Sequence, residues 1–167
     1  DCHQTVAATR AARLARAAGC PVVIDVEKVR PGIAELLEQV DVIIAAEDLP
    51  SGLTGAADVG EALKTMADEF PAPVVCVTLG REGSLARCGG REVRTPGFDV
   101  PVVDTTGAGD AFRGGFIAGW LAGGVRASLE EVLVYANAVA ALKCRALGAQ
   151  AGIPGRDEAR ALARTRF

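Results

Sequence analysis

Three short runs rich in β-branched residues constrain the fold of this chain more than any other feature. They are PVVIDV at Pro21–Val26, DVIIAA at Asp41–Ala46 and PVVCVT at Pro73–Thr78. Each run has the length of a strand and is almost wholly apolar, which is typical of a strand buried on both faces of a sheet. Because helix-like segments separate the runs, the pattern predicts an α/β fold with a mostly parallel sheet and helices on both faces.

The rest of the chain predicts helices, one loop, a hairpin and a short extended piece. Strands at Ser84–Cys88 and Glu92–Thr95, on either side of two glycines, predict a hairpin. Leu49–Gly55 predicts a loop, and Val100–Val103 an extended piece. Helices are predicted at Gln4–Ala18, Gly32–Gln39 and Ala56–Glu69. A fourth helix is predicted from the end of Asp104–Asp110 to about Leu121, where Gly123 and Gly124 follow it. A fifth is predicted from a capping box at Ser128 and Glu131 to about Leu147, and a last one after Gly155.

Composition excludes several classes of function. Half of the residues are hydrophobic and the net charge is −3, so a packed core is expected, whereas binding to nucleic acid or to an anionic membrane is not. His3 is the only histidine and lies at the chain terminus, which argues against a Ser-His-Asp or Cys-His catalytic unit. The five scattered cysteines predict buried free thiols in a reducing cytoplasm rather than disulfides or a zinc site.

The segment DTTGAGDAFRGG at 104–115 carries the chemistry of the chain. Gly107 and Gly109 allow close approach of a ligand, and the first N–H groups of the following helix lack partners within the helix and attract anions. Asp110 is then either a helix cap or a catalytic carboxylate. There is no G-x-x-x-x-G-K-[ST] loop, and Phe112 occupies the position of the third glycine of a dinucleotide-binding fingerprint, so both of those phosphate motifs are excluded.

D-T-T-G-A-G-D-A-F-x-G-G-F resembles the C-terminal signature of the PfkB, or ribokinase-like, carbohydrate kinases. VTLGREG at Val77–Gly83 and ANAVAALKCRALG at Ala136–Gly148 are similar to further segments of the family, and VEKVR at Val26–Arg30 resembles ketohexokinase-like members. The resemblance implies a three-layer α/β/α ribokinase-like fold. It covers the whole chain, so residues 1–167 are expected to form the C-terminal part of one kinase domain, without the N-terminal half and lid.

The resemblance also implies roles for individual residues. Asp110 would be the catalytic base, and the amides of Gly107, Ala108 and Gly109 would form the anion hole. Thr78, Gly80, Gly83 and Asn137 would contact the nucleotide. Asp104 and Thr106 would lie at a monovalent-cation site, completed by carbonyl groups between Lys143 and Gly148. Asp1 is a candidate sugar contact, and Arg113 is either a phosphate contact or a solvated arginine.

Two positions depart from the family pattern. The family's N-x-x-E motif, which helps to organise magnesium and phosphate, is replaced by Ala46, Glu47, Asp48 and Leu49. Glu47 and Asp48 are therefore either water-mediated Mg²⁺ contacts or a solvated carboxylate pair. Gly152 occupies a position where some members place a hydroxyl group near the monovalent cation, which bears on the use of K⁺ as a cofactor.

The function that the resemblance implies is ATP-dependent phosphoryl transfer to a hydroxyl of a small sugar, with Mg²⁺ as a cofactor and K⁺ as a candidate second cofactor. The alternatives are a nucleoside kinase of the same family and a nucleotide-binding remnant without catalysis. We expect the full-length protein to be cytoplasmic and to form a homodimer if the family's lid is present. The 167 residues alone are expected to expose an unpaired sheet edge or apolar face and to turn over sugar poorly or not at all.

Overall fold

A computed structural model of the protein describes residues 1–123 and 128–167. The strands are β1 Val23–Val26, β2 Val42–Ala46, β3 Val74–Thr78, β4 Ser84–Cys88 and β5 Arg91–Thr95. The helices are α1 Thr5–Ala17, α2 Ile33–Leu37, α3 Leu49–Thr54, α4 Val59–Glu69, α5 Ala108–Gly123, α6 Leu129–Lys143 and α7 Arg156–Ala163. None of the helices in these two ranges is long and apolar enough to cross a membrane.

The three apolar runs form the parallel part of a five-stranded sheet with the order β1-β2-β3-β4-β5. Val42 pairs with Val23 on one side and with Val74 on the other, and both pairings are parallel. Residues 42–45 are all buried, and because successive side chains of a strand point to opposite faces, both faces of β2 are covered. β4 and β5 follow as neighbouring strands on either side of Gly89 and Gly90, so the predicted hairpin is confirmed.

The chain divides into two compact units, and the first unit comprises Asp1–Leu79 with Leu85–Glu92. Its core combines apolar side chains of the parallel strands, such as Ile24 and Ile43, with Leu63 and Met66 of α4. α4 begins at Asp58, whose carboxylate accepts a hydrogen bond of 3.0 Å from the amide of Glu61. This N-cap places the start of α4 at Val59, three residues later than the sequence predicts.

The second unit comprises Gly80–Ser84 with Val93–Phe167. Its helices pack as α5 on α6 and α6 on α7. The capping box predicted at Ser128 and Glu131 is present at the start of α6. Inside this unit the amide of Asn137 donates to Ser84 Oγ at 3.2 Å and to Thr95 Oγ1 at 2.9 Å, so a buried polar network joins α6 to the base of the hairpin.

The loop predicted over Leu49–Gly55 is wrong, because Leu49–Thr54 forms the helix α3. Pro50 lies in the first turn, where a helix needs no amide hydrogen from it, and Gly55 ends the helix with φ +75°. Leu49 is 2% exposed and joins the core of the first unit. Burial of this side chain overrides the loop-forming tendency of Pro50 and Gly52.

Two further predictions need correction in the second unit. The helix predicted to run to Leu147 ends at Lys143, because the carbonyl of Cys144 accepts instead from the amides of Val103 and Asp104, at 2.8 and 3.1 Å. The same contacts hold Val103, the last residue of the extended piece predicted over Val100–Val103, which contains no helix and pairs with no strand. The helix before Gly123 and Gly124 reaches Gly123, whereas Gly124 lies outside the described residues.

The five cysteines are free, as predicted, but they are not all buried. Cys20 and Cys88 are exposed, whereas Cys2, Cys76 and Cys144 are buried. Cys20 follows the end of α1 and Cys88 precedes the hairpin turn, so both lie at surface ends of elements. Burial raises the pKa of the Cys76 and Cys144 thiols, which keeps both protonated and unreactive.

Gly83 provides a test of the packing in the second unit. Its φ is +97°, and a Cβ added there would lie 2.1 Å from the carbonyl oxygen of Thr95 and 2.5 Å from the amide nitrogen of Gly97. Because both are backbone atoms, we expect Gly83→Ala to lower the free energy of unfolding by more than about 3 kcal/mol. Urea unfolding measures this change.

Gly90→Ala is the matched control, since Gly90 also has a positive φ, of +79°, but a Cβ there would meet nothing within 4 Å. Gly90→Ala should lower the free energy of unfolding by only about 1–2 kcal/mol, because it strains the backbone conformation but creates no clash. Equal destabilisation by the two substitutions would contradict the packing argument.

Candidate active site

The residues predicted to carry the chemistry lie where the loop 104–107 leads into α5 in the second unit. Gly107 has φ +77°, and a Cβ added to it would lie 2.9 Å from the Cβ of Ala149. Both the backbone conformation and the contact with Ala149 therefore require glycine here. α5 begins at the next residue, Ala108, so its first turn carries the glycine-rich motif.

Asp110 is the third residue of α5, and its side chain is 68% exposed. Its Oδ1 accepts a hydrogen bond of 2.5 Å from Nη2 of Arg113, one turn later in the helix. The guanidinium of Arg113 is therefore partly exposed and paired with the Asp110 carboxylate, and its contact with a phosphate stays a prediction. A carboxylate at a helix N-terminus, near a guanidinium and open to ligands, can accept a proton from a bound hydroxyl group.

The amides predicted to form the anion hole have different surroundings. The amide of Ala108 donates to the carbonyl of Thr105 at 3.0 Å, within the turn that starts the helix. The carbonyl of Gly107 accepts from Ala111 at 2.9 Å, the first intrahelical bond of α5. Nothing lies within 4 Å of a Cβ added to Gly109, so the approach to this residue is open. The anion hole itself stays a prediction.

Asp104 joins the loop before α5 to the loop after α6. Its Oδ1 accepts from the amide of Thr106 at 2.9 Å and from the hydroxyl of Thr106 at 2.7 Å. Its Oδ2 accepts from the amide of Gly148 at 2.7 Å. These hydrogen bonds, with the nearby ammonium of Lys143, lower the pKa of Asp104 to about 2, so its carboxylate is ionised at neutral pH.

Sequence reasoning missed the side chain of Lys143. It is 0% exposed, and its Nζ donates a hydrogen bond of 2.8 Å to the carbonyl oxygen of Asp104. The sequence predicts only that carbonyl groups near Lys143 line a cation site. The signal available in the sequence is the lysine at the end of the otherwise apolar run VAALK at 139–143. A lysine among buried residues needs a polar partner.

The predicted nucleotide contacts fall into two groups. Thr78 ends β3 in the first unit, where it is half-buried and its hydroxyl donates to the carbonyl of Ala45 at 3.4 Å. Gly80 and Gly83 belong to the second unit, Gly80 exposed and Gly83 buried. Asn137 is 5% exposed, and its amide nitrogen donates hydrogen bonds to the hydroxyl groups of Ser84 and Thr95, so its observed role is structural. The nucleotide contacts stay predictions.

The remaining candidates lie in the first unit. Glu47 and Asp48 are exposed in the turn after β2, and the side chain of Asp48 caps no helix amide. Asp1 is exposed, and its Oδ1 accepts from the amide of His3 at 2.9 Å. Among residues 1–123 and 128–167, no group of three or more His, Cys, Asp or Glu side chains is placed to hold a metal ion.

The Asp104 hydrogen bonds predict a pH-dependent contribution to stability. Because folding lowers the pKa of this carboxylate to about 2, the contribution is present above its ordinary pKa and is lost as the pH falls towards 2. Asp104→Asn removes the titrating group. The difference in unfolding free energy between wild type and variant should therefore be largest above about pH 4 and shrink below it.

Urea unfolding of both proteins across this pH range measures the difference, with Asp99→Asn, at an exposed position, as the control. A difference that stays constant from neutral to acidic pH would contradict the assignment.

Comparisons with known proteins extend these observations. Residues 3–156 match the family model described as pfkB family carbohydrate kinase. The chain is 38% identical over 115 residues to a 2-dehydro-3-deoxygalactonokinase of Haloferax volcanii, covering 68% of this chain and 35% of that protein. It is 34% identical over 152 residues to a ribokinase of Haemophilus influenzae, covering 89% of this chain and 49% of the relative.

Among solved structures, Arabidopsis thaliana ribokinase complexed with ribose and ATP superposes with a TM-score of 0.85 and 30% identity. The match covers 96% of this chain and 53% of that structure, and it confirms the ribokinase-like α/β fold. This chain thus spans about a third to a half of the length of these relatives. Because the family model matches nearly the whole sequence, the chain belongs to the pfkB family of carbohydrate kinases.

Proposed function

We propose that the intact protein transfers the γ-phosphoryl group of ATP to a hydroxyl group of a small sugar. The observation that carries the proposal is Asp110, an exposed carboxylate in the first turn of a helix that begins directly after a glycine with positive φ. This is the geometry that a catalytic base beside a phosphate site requires. Membership of a family of carbohydrate kinases supports the sugar as acceptor.

In the proposed reaction the sugar hydroxyl oxygen attacks the γ-phosphorus of ATP. The bond from that phosphorus to the bridging oxygen of ADP breaks, and the hydroxyl proton passes to Asp110. Phosphoryl transfer has a loose transition state with charge spread over the phosphoryl oxygens, so positioning and electrostatics account for most of the catalysis. The amides of Gly107, Ala108 and Gly109 and the positive end of α5 would stabilise that charge. Ala108 would share its amide hydrogen with Thr105.

Arg113 supports the proposed role of Asp110. Its guanidinium is about a third exposed and holds Oδ1 of the carboxylate, which restricts the rotamers of Asp110. A carboxylate held in one orientation loses less entropy when a hydroxyl group binds to it. We therefore propose Arg113 as the residue that positions the base.

ATP would be used as its magnesium complex. The carboxylates that could contribute, Glu47 and Asp48, are exposed in a turn of the first unit. This fits an ion that keeps several waters and is held mainly by the ATP phosphates, because Mg²⁺ is seldom enclosed by protein ligands alone. Magnesium would neutralise charge on the β- and γ-phosphates.

The free thiols of all five cysteines support the cytoplasm as the location of the protein.

The proposed base is tested by Asp110→Asn in the intact protein. Since asparagine cannot accept the proton, kcat should fall by about 10²- to 10⁴-fold while ATP binding persists. Steady-state ADP release measures the first quantity, and titration calorimetry the second.

Asp157→Asn is the matched control, because Asp157 is also an acidic residue in the first turn of an exposed helix, α7. It should retain the wild-type rate. Equal turnover by Asp110→Asn and wild type would refute the assignment of the base. ATP binding by the wild type without sugar-dependent ADP release would instead favour the non-catalytic alternative.

A further prediction concerns the acceptor. A panel of ribose, fructose, 2-dehydro-3-deoxy sugar acids and adenosine, each assayed for ADP release under equal conditions, separates a sugar kinase from a nucleoside kinase. We expect the highest kcat/KM with a sugar or sugar acid, in line with the carbohydrate kinase family. The highest value with adenosine would replace the proposal with the nucleoside alternative.

A further inference from the structure

Lys143 is a fully buried cation for which the proposed reaction has so far provided no role. It is the last residue of α6, and its side chain is 0% exposed. Its Nζ lies 2.8 Å from the carbonyl oxygen of Asp104. This places the amino group of Lys143 at the residue for which family resemblance predicts a bound monovalent ion.

The carboxylate of Asp104 is already shared among three hydrogen-bond donors. Thr106 supplies two of them and Gly148 the third. Lys143 acts on the same group through its charge, which contributes to the low pKa of Asp104. The buried ammonium and the carboxylate therefore compensate each other, as a buried charge requires.

A monovalent cation does not fit well beside this pair. A second positive charge close to Asp104 would be repelled by the ammonium, and the repulsion is stronger in a partly buried site than in water. Gly152, where some family members have a hydroxyl group, offers no side-chain oxygen. A Cβ added there would lie 2.0 Å from the carbonyl oxygen of Lys143, so a hydroxyl-bearing residue has no room.

We infer that the Lys143 ammonium takes the place of a bound monovalent cation, so that phosphoryl transfer by this protein needs no K⁺. The inference rests on the proposed function for its catalytic consequence. Lys143 acts as a positioning residue: its ammonium holds the carbonyl of Asp104, and Asp104 in turn holds Thr106 and Gly148. The loop that leads to Gly107 and Asp110 is thereby held by the ammonium group of a side chain rather than by a bound ion.

The test compares KCl with tetramethylammonium chloride at equal ionic strength, because the organic cation is too large for a carbonyl-lined site. For the intact wild type we expect the same kcat in both salts and, in the nucleotide-free protein, the same midpoint of thermal unfolding. A ligand that binds only the folded state raises that midpoint, so the second readout reports K⁺ binding without any catalysis.

Lys143→Met removes the charge and keeps a side chain of similar length. Its kcat in tetramethylammonium should fall by about 10- to 100-fold, since small displacements near the reacting groups have effects of this size. KCl should then restore part of the rate and raise the unfolding midpoint, a gain that a purely structural role would not produce. Lys64→Met, at an exposed position on α4, is the control and should behave as wild type in both salts.

K⁺-dependent kcat or thermal stabilisation of the wild type would overturn the inference, and so would a Lys143→Met variant that matches wild type in both salts. If Lys143→Met does not fold, the wild-type comparison alone decides. If the wild type shows no kinase activity, the proposed function fails, whereas the thermal comparison still decides whether Lys143 replaces the ion.

Discussion

The start of the loop that leads into α5 depends on the hydrogen bonds and the charge interaction between Asp104 and the end of α6. The carbonyl of Cys144 accepts from the amides of Val103 and Asp104, and the Lys143 ammonium donates to the carbonyl of Asp104. These contacts hold the start of the loop 104–107, which leads into α5. Asp110 in its proposed role as base would gain from such a fixed approach, because less ordering would remain for the moment of binding.

The fold was predictable where burial leaves a local signal. β2 is apolar along almost its whole length because both of its faces are covered, and the same property makes the strand recognisable in the sequence. α3 was not predictable, because Pro50 and Gly52 indicate a loop and only the burial of Leu49 makes the segment helical. The end of α6 depends likewise on Val103, about forty positions earlier, which no local pattern includes.

The candidate site divides in the same way. Asp110 and the glycines before it form one continuous motif, so their roles could be proposed from a short segment. The contacts of Lys143 and Asn137 join residues far apart in the chain, and their partners became visible only in the structure. The acceptor is not encoded in the motif either. The relatives described above include a 2-dehydro-3-deoxygalactonokinase and a ribokinase, whose names give different acceptors.

The parallel pairing of β2 with β1 and β3 also has a consequence for synthesis of the chain on the ribosome. β1 and β2 emerge before β3 and can pair, but β3, which covers the other edge of β2, emerges about thirty residues after β2. During that interval the edge of β2 exposes unpaired amide and carbonyl groups on an apolar strand. Such an edge is a template for association with other chains. The rate at which the ribosome delivers β3 thus sets how long the nascent protein is open to aggregation.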